Sequence, residues 1–262
     1  MKRQSMVKRV GALAVAGGLV LSLAGSAFAA GTATSTVTPG VGTSKAGRTL
    51  DTLKQTCEAA IDRRLTSLGD LQGKVSSSTY LTAGDRATLL GEISAENNGL
   101  AALRVRIAAD ADRATLVADC KSIVEHYRVY LLMIPKAHLT IASDAASVIG
   151  QKLTDLTTRL QADIDRAKSA GKDTADAQRD LDNLKAAISA GTGAAGPVDG
   201  LLNFALPLNP SEYPADQQNV KTARTDMGTT HTDFVQAGED AKQVVADLKA
   251  LKTPKPVTTA TS

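Results

Sequence analysis

The chain has 262 residues, with 3% aromatic residues, no Trp, two Cys and a formal net charge of +3. Four of its basic residues, Lys2, Arg3, Lys8 and Arg9, lie within residues 1–30, which hold no acidic residue; the remainder has 26 basic and 27 acidic residues, a net of −1. That remainder lacks the basic balance that nucleic acid or an anionic membrane surface would attract, and so few aromatic rings disfavour a deep apolar ligand cavity.

After the basic start, Val10 to Leu23 contains no charged residue, and Ser26-Ala27-Phe28-Ala29-Ala30 places small residues at alternating positions. A basic region, a short apolar region and an A-x-A site in that order predict a secretory signal peptide over residues 1–30, cut after Ala29 or Ala30. A retained anchor fits less well, because the uncharged stretch is shorter than the roughly 20 residues that span a bilayer. No Cys stands near the cut, and residues 253–262 carry neither an apolar tail nor an LPxTG-like signal. The basic residues form no twin-arginine pattern, so general secretion is the expected route. These features predict a protein secreted to the extracellular space or cell envelope, with no integral membrane segment after cleavage and no covalent anchor.

Residues 31–44 are small, polar and interrupted by Pro39 and Gly40, a composition that predicts a flexible leader. From there to residue 190 apolar residues recur at steps of three and four, the signature of amphipathic helices. A first stripe is Leu50, Leu53, Cys57, Ile61, Leu65, Leu68 and Leu71, followed by a turn at Ser76-Ser77-Ser78. Thr82 with Asp85 resembles a capping box for a second stripe of Leu89, Ile93, Glu96, Leu100, Leu103 and Ile107. Asp110 or Asp112 is positioned to cap a third helix with Leu116, Cys120, Ile123, Tyr127 and Leu131 facing inward. Pro135 is expected to end or kink it.

A long fourth segment carries Ile149, Leu153, Leu156, Leu160 and Ile164 and stops at Ala170-Gly171. Asp173 is the expected cap of the next helix, with Ala177, Leu181, Leu184 and Ile188 inward. The run of Gly191, Gly193, Gly196, Pro197, Gly200, Pro207 and Pro210 predicts a loop over residues 191–213, anchored by Leu201, Leu202, Phe204, Leu206 and Leu208. Pro214 suits the first turn of a last long helix over residues 214–252, on which Val220, Ala223, Met227, His231, Phe234, Ala241, Val244 and Leu248 recur. Residues 253–262 read as a disordered tail. No segment alternates with period two, so the expected fold is all-α, an elongated antiparallel helical bundle or set of coiled-coil-like hairpins. Residues 45–190 form its body and the last helix packs on it.

Cys57 and Cys120 both fall on inward stripes of an exported chain, an even pair where disulfides persist. Their bridge would close a loop of 64 residues and contribute about 4 kcal/mol in the chain-entropy model. With no C-x-x-C it reads as structural.

The search for chemistry is otherwise negative. His126, His138 and His231 lack the paired spacing of helical metal sites, so no metal ligand and no cofactor are expected. Met133 and Met227 read as packing residues. There is no G-x-S-x-G and no reactive Cys, so no catalytic residue is expected. Asp163/Asp165 and Asp180/Asp182 stand two apart on helices and point in different directions, as on a solvated surface. Gly191-Thr192-Gly193-Ala194-Ala195-Gly196 has dinucleotide-motif spacing but follows a helix rather than a strand, which removes its meaning.

The densest feature is Glu125 to Pro135, where Tyr127, Arg128 and Tyr130 stand together. Such residues fill a bundle end or form an interaction patch, since Tyr and Arg are enriched among interface anchors. The pattern of Cys57…Ile61, Leu81-Thr82, Leu100-x-x-Leu103 and Arg128-Val129-Tyr130…Pro135 resembles a loose group of secreted helical proteins from bacteria, over roughly residues 50–165. That resemblance implies export and a helical fold and no particular activity. The leading expectation is a secreted or envelope-associated non-enzymatic protein with a structural or interaction role. Its partner would be a protein, an envelope component or a second copy, and not nucleic acid. The alternative is an extracytoplasmic binding or carrier module whose ligand sits where the Tyr127–Pro135 kink meets residues 196–213.

Overall fold

A computed structural model of the chain describes residues 49–207 and 211–252. The signal peptide, leader and tail predicted for residues 1–30, 31–44 and 253–262 lie outside these, as does the Leu208 anchor. Among the described residues the fold is all-α, with no strand. The helices are α1 Leu50–Ser77, α2 Ala83–Ala109, α3 Arg113–Glu125, α4 Ile134–Ser169, α5 Ala175–Ala195, α6 Val198–Leu201 and α7 Tyr213–Ala250, with a π-helical turn at Val129–Met133 before α4.

Local chemistry sets most of these ends. The Thr49 hydroxyl accepts from the Thr52 N–H at the start of α1 and that of Thr82 from the Asp85 N–H at the start of α2, while Asp112 Oδ1 accepts from both Ala114 and Thr115 at the start of α3. Each satisfies donors that a helix N-terminus leaves open. α4 closes with the Lys172 N–H donating to Ala167 O and the Gly171 N–H to Lys168 O, around a Gly171 φ of +74°. This is a Schellman end, for which glycine carries no Cβ penalty.

α1, α2 and α3 pack on one another, and α4, α5 and α7 form a second set, with α5 lying along α7. The α1–α2 hairpin is closed from both sides. Arg86 donates to the Val75 and Ser76 carbonyls in the last turn of α1 and to that of the capping Ser78, at 2.9, 2.5 and 2.6 Å, and Lys54 donates to Ala108 O near the end of α2 at 2.8 Å. The Cys57–Cys120 disulfide, with Cα atoms 5.6 Å apart, ties α1 to α3. In the second set Phe234 of α7 sits against Gly150 of α4 and Gly191 of α5, and the Thr230 hydroxyl donates to Gly191 O at 3.2 Å.

Several expectations change. α3 does not run on to Leu131: the N–H groups of His126 and Tyr127 both reach Ser122 O, at 3.0 and 3.1 Å, and the chain turns out of the helix. Leu131 is consequently exposed. Pro135 then opens α4 instead of ending α3, occupying a first-turn position where its missing N–H leaves nothing unpaired. Residues 191–213 are not one loop. α5 continues through the glycines to Ala195 because α7 approaches closely there, and α6 follows. His231 is exposed, while Asp180 is buried and takes the Arg179 Nε at 3.1 Å rather than facing solvent. Asp173 accepts from the Ala175 N–H at 3.1 Å, one residue before the Thr174 cap.

Candidate functional site

The junction from α3 to α4 meets the connection from α6 to α7 at two cations. Arg128 stacks on Tyr213, with its guanidinium carbon 3.4 Å from the ring centroid. The Lys136 Nζ donates to Glu92 Oε1 at 2.6 Å and to the Phe204 carbonyl, and lies 4.7 Å from the Phe204 ring centroid. Lys136 is only 4% exposed. An ammonium so far from water requires such partners, and a buried pair leaves an expensive charge if one member is removed.

A cleft of about 580 Å³ opens beside this pair. α2 supplies Asp85, Leu89 and Glu92, α4 supplies Lys136 and Thr140, α6 supplies Asp199, and the connection after it supplies Leu202, Asn203 and Phe204. Its field is negative. Among the described lining residues Lys136 is the single cation against the carboxylates of Asp85, Glu92 and Asp199. Nearby, buried Asp144 takes the Thr82 N–H at 2.7 Å. Burial pushes its carboxyl up, Thr82 pulls it down, and the charges of Asp85 and Asp199 add to the upward push.

Deeper along α2 the chemistry becomes less satisfied. Burial pushes the Glu92 carboxyl up, against the Lys136 ammonium and the Leu206 N–H, which pull it down. One turn further on, Glu96 is 0% exposed, and neither of its carboxylate oxygens has a hydrogen-bond partner. Burial first and the neighbouring Glu92 second push it up to about 7. The cost of desolvating its charge favours the neutral form of a carboxyl in that setting.

The residues expected to form an interaction patch do not share a face. Tyr127 is 7% exposed and lies over Gly99, where a Cβ would meet its hydroxyl at 2.6 Å. Arg128 turns to Tyr213. Tyr130 alone is open, at 45%, with the Arg64 guanidinium 5.1 Å from its ring centroid and Ser67 Oγ 3.4 Å from its hydroxyl. His126 meets Tyr127 edge-on at 4.7 Å, and burial beside Lys74 pushes His138 down. Among the described residues no group of three or more His, Cys, Asp or Glu is placed to hold a metal, and no helix is long and apolar enough to cross a membrane.

Sequence reasoning passed over Lys136, Glu92 and Asp199, and read Asp85 only as the capping partner of Thr82. A lysine beside a proline reads as solvated, and its burial depends on groups 44 and 68 residues away. Glu96 did carry a signal, since it stands on the inward stripe of α2 between Ile93 and Leu100. No family model, no curated protein and no solved structure matches this chain.

Proposed function

We propose that this chain is an exported, non-enzymatic helical protein that binds a small organic cation in the cleft between α2, α4, α6 and the connection that follows α6. The observation that carries this reading is the engagement of Lys136. The only cation among the described lining residues is already held by Glu92, the Phe204 carbonyl and the Phe204 ring. An entering anion would find no free cation there and three carboxylates. An amine or quaternary ammonium would find acceptors at Asp85 and Asp199 and apolar walls at Leu89 and Leu202. Export rests on the predicted signal peptide, and the Cys57–Cys120 bridge suits an oxidising compartment.

The test is calorimetric titration of the chain lacking residues 1–30 with putrescine and, separately, with inorganic phosphate. Saturable amine binding, about fivefold weaker in Asp199→Asn and weaker still in salt, is expected from the loss of about 1 kcal/mol of exposed charge attraction. Preferential phosphate binding, or amine binding indifferent to Asp199, would overturn the reading.

A second reading, association with a protein, an envelope component or another copy, draws on a different place. Val117 and Val124 are exposed beside Leu53, in a shallow depression of about 340 Å³ next to the disulfide. Light scattering over a concentration series, with Val124→Asp as the control, separates a self-associating protein from a monomer.

A further inference from the structure

Two rungs join α2 to α4, and the cleft lies between them. At one, the Lys136 ammonium meets Glu92 Oε1 at 2.6 Å; at the other, Asp144 accepts the N–H of the capping Thr82 at 2.7 Å. The two helices therefore run antiparallel along the cleft. Asp85, Leu89 and Glu92 stand on one face of α2 at steps of four and three, and Lys136, Thr140 and Asp144 on one face of α4 at steps of four. The step from Asp85 to Glu92 spans about 10 Å along the helix axis. The two ends differ in charge. At the Glu92 end, Lys136 fills the groups that a cation would seek: Glu92 Oε1, the Phe204 carbonyl and the Phe204 ring, 4.7 Å away at its centroid. The other Glu92 oxygen is buried without a hydrogen-bond partner. At the Thr82 end, Asp85 and Asp199 line the cleft, and the charges of both act on buried Asp144. Arg86, next to Asp85 in the chain, is turned away to the end of α1.

We propose that Lys136 sets the specificity of the cleft: by occupying Glu92 and the Phe204 ring itself, it confines a ligand's charge to the Asp85–Asp199 end, so that the cleft takes a protonated primary amine with a short alkyl chain and discriminates against a quaternary ammonium of the same charge. This inference rests on the cation reading of the cleft and narrows it. A quaternary ammonium has no N–H, and its recognition depends on aromatic faces. Phe204 is the single aromatic residue among the described lining residues, and Lys136 already sits over its ring. A primary ammonium brings several N–H donors, and hydrogen bonds to ionised groups are about twice as strong as neutral ones. Such a head finds carboxylate acceptors at Asp85 and Asp199. Its chain then lies between Leu89 of α2 and Leu202, pointing toward a rung whose two charges already cancel.

The test titrates the chain lacking residues 1–30 with n-butylammonium and, separately, with butyltrimethylammonium, ions alike in charge and chain, at one ionic strength. Backbone amides are followed by ¹⁵N NMR. Butylammonium is expected to bind about tenfold more tightly, with its largest shifts at Asp85 and Gly200. In Lys136→Met, which opens Glu92 and the Phe204 ring to the ligand, that preference is expected to fall below about threefold. Equal or tighter binding of butyltrimethylammonium by the wild type overturns the specificity. The cation reading survives that result if Asp199→Asn still weakens binding, and falls with it otherwise. Absence of binding by either ion overturns both. A folded Lys136→Met protein that keeps the full preference refutes the role of Lys136, and where that variant does not fold the wild-type comparison decides by itself.

Discussion

Phe234 is the largest side chain the described protein buries completely, and the space for it exists because two neighbouring helices lack a side chain. A Cβ at Gly191 would stand 2.6 and 2.7 Å from its ring carbons, and one at Gly150 would stand 2.8 Å from Thr192 Cγ2 and 3.5 Å from the ring. Gly191→Ala is therefore expected to destabilise the fold by about 1–3 kcal/mol, the usual range for overpacking a filled core. Gly193→Ala, two residues along the same helix where a Cβ meets nothing within 4 Å, should stabilise it by about 0.5–1 kcal/mol through the lower backbone entropy of alanine. Urea midpoints of the two variants must move in opposite directions, and movement in the same direction refutes the packing account. This contrast also explains why the glycine run suggested a loop. Its composition is that of a loop, but Phe234 and Thr230, about forty residues away, recruit Gly191 for close approach and keep α5 helical.

At the scale of elements, what the stripes specified and what they did not differ in kind. The Leu50–Leu71 and Leu89–Ile107 stripes, the Thr82 cap, the Gly171 stop and the Pro214 start are local signals, and the structure uses each of them. The α3–α4 junction was misread because Cys120, Ile123, Tyr127 and Leu131 keep helical spacing while the chain breaks. Tyr127 packs on Gly99 of another helix, an event no local periodicity records. The cleft was illegible for the same reason, being assembled from α2, α4 and a distant connection around Lys136. The disulfide was legible because both cysteines lie on stripes that meet. Two predictions belong here. Asp112→Ala removes an acceptor bonded to two backbone donors at 2.9 Å each and should lower stability by about 1 kcal/mol. Paired Cys57→Ala and Cys120→Ala substitution opens a loop spanning a sequence separation of 63 and should lower it by about 2–5 kcal/mol. Urea denaturation checks both, and a double variant as stable as the oxidised wild type would show that the bridge does not constrain the unfolded chain.

For the whole molecule, the buried acids give stability a direction with pH. Glu96 is raised from 4.5 to about 7 in the folded state, so folding favours its protonated form. Its contribution is fully present below pH 4.5, declines as the unfolded chain ionises first, and is gone above about pH 7. A shift of that size corresponds to about 3 kcal/mol, and Glu96 has no exposure through which water could screen it. Glu92, Asp144 and Asp216 are raised as well and act in the same sense. His138 opposes them. Its folded value is depressed by burial, so its contribution is present above 6.5 and is lost on acidification. Asp112 is lowered by its bonds to Thr115 and Ala114, and its contribution likewise fades at acid pH. The expected curve therefore rises from pH 8 toward pH 5, against the usual preference for neutrality, before the lowered groups turn it down. Stability measured by urea denaturation at half-unit intervals should gain up to about 3 kcal/mol over that span from Glu96, less what His138 removes. Glu96→Gln should flatten the rise while leaving the acid limb in place. A wild-type curve that is flat between pH 5 and 8 would mean that Glu96 reaches water in the folded protein, and a Glu96→Gln curve that keeps the full slope would assign the effect to the other raised acids.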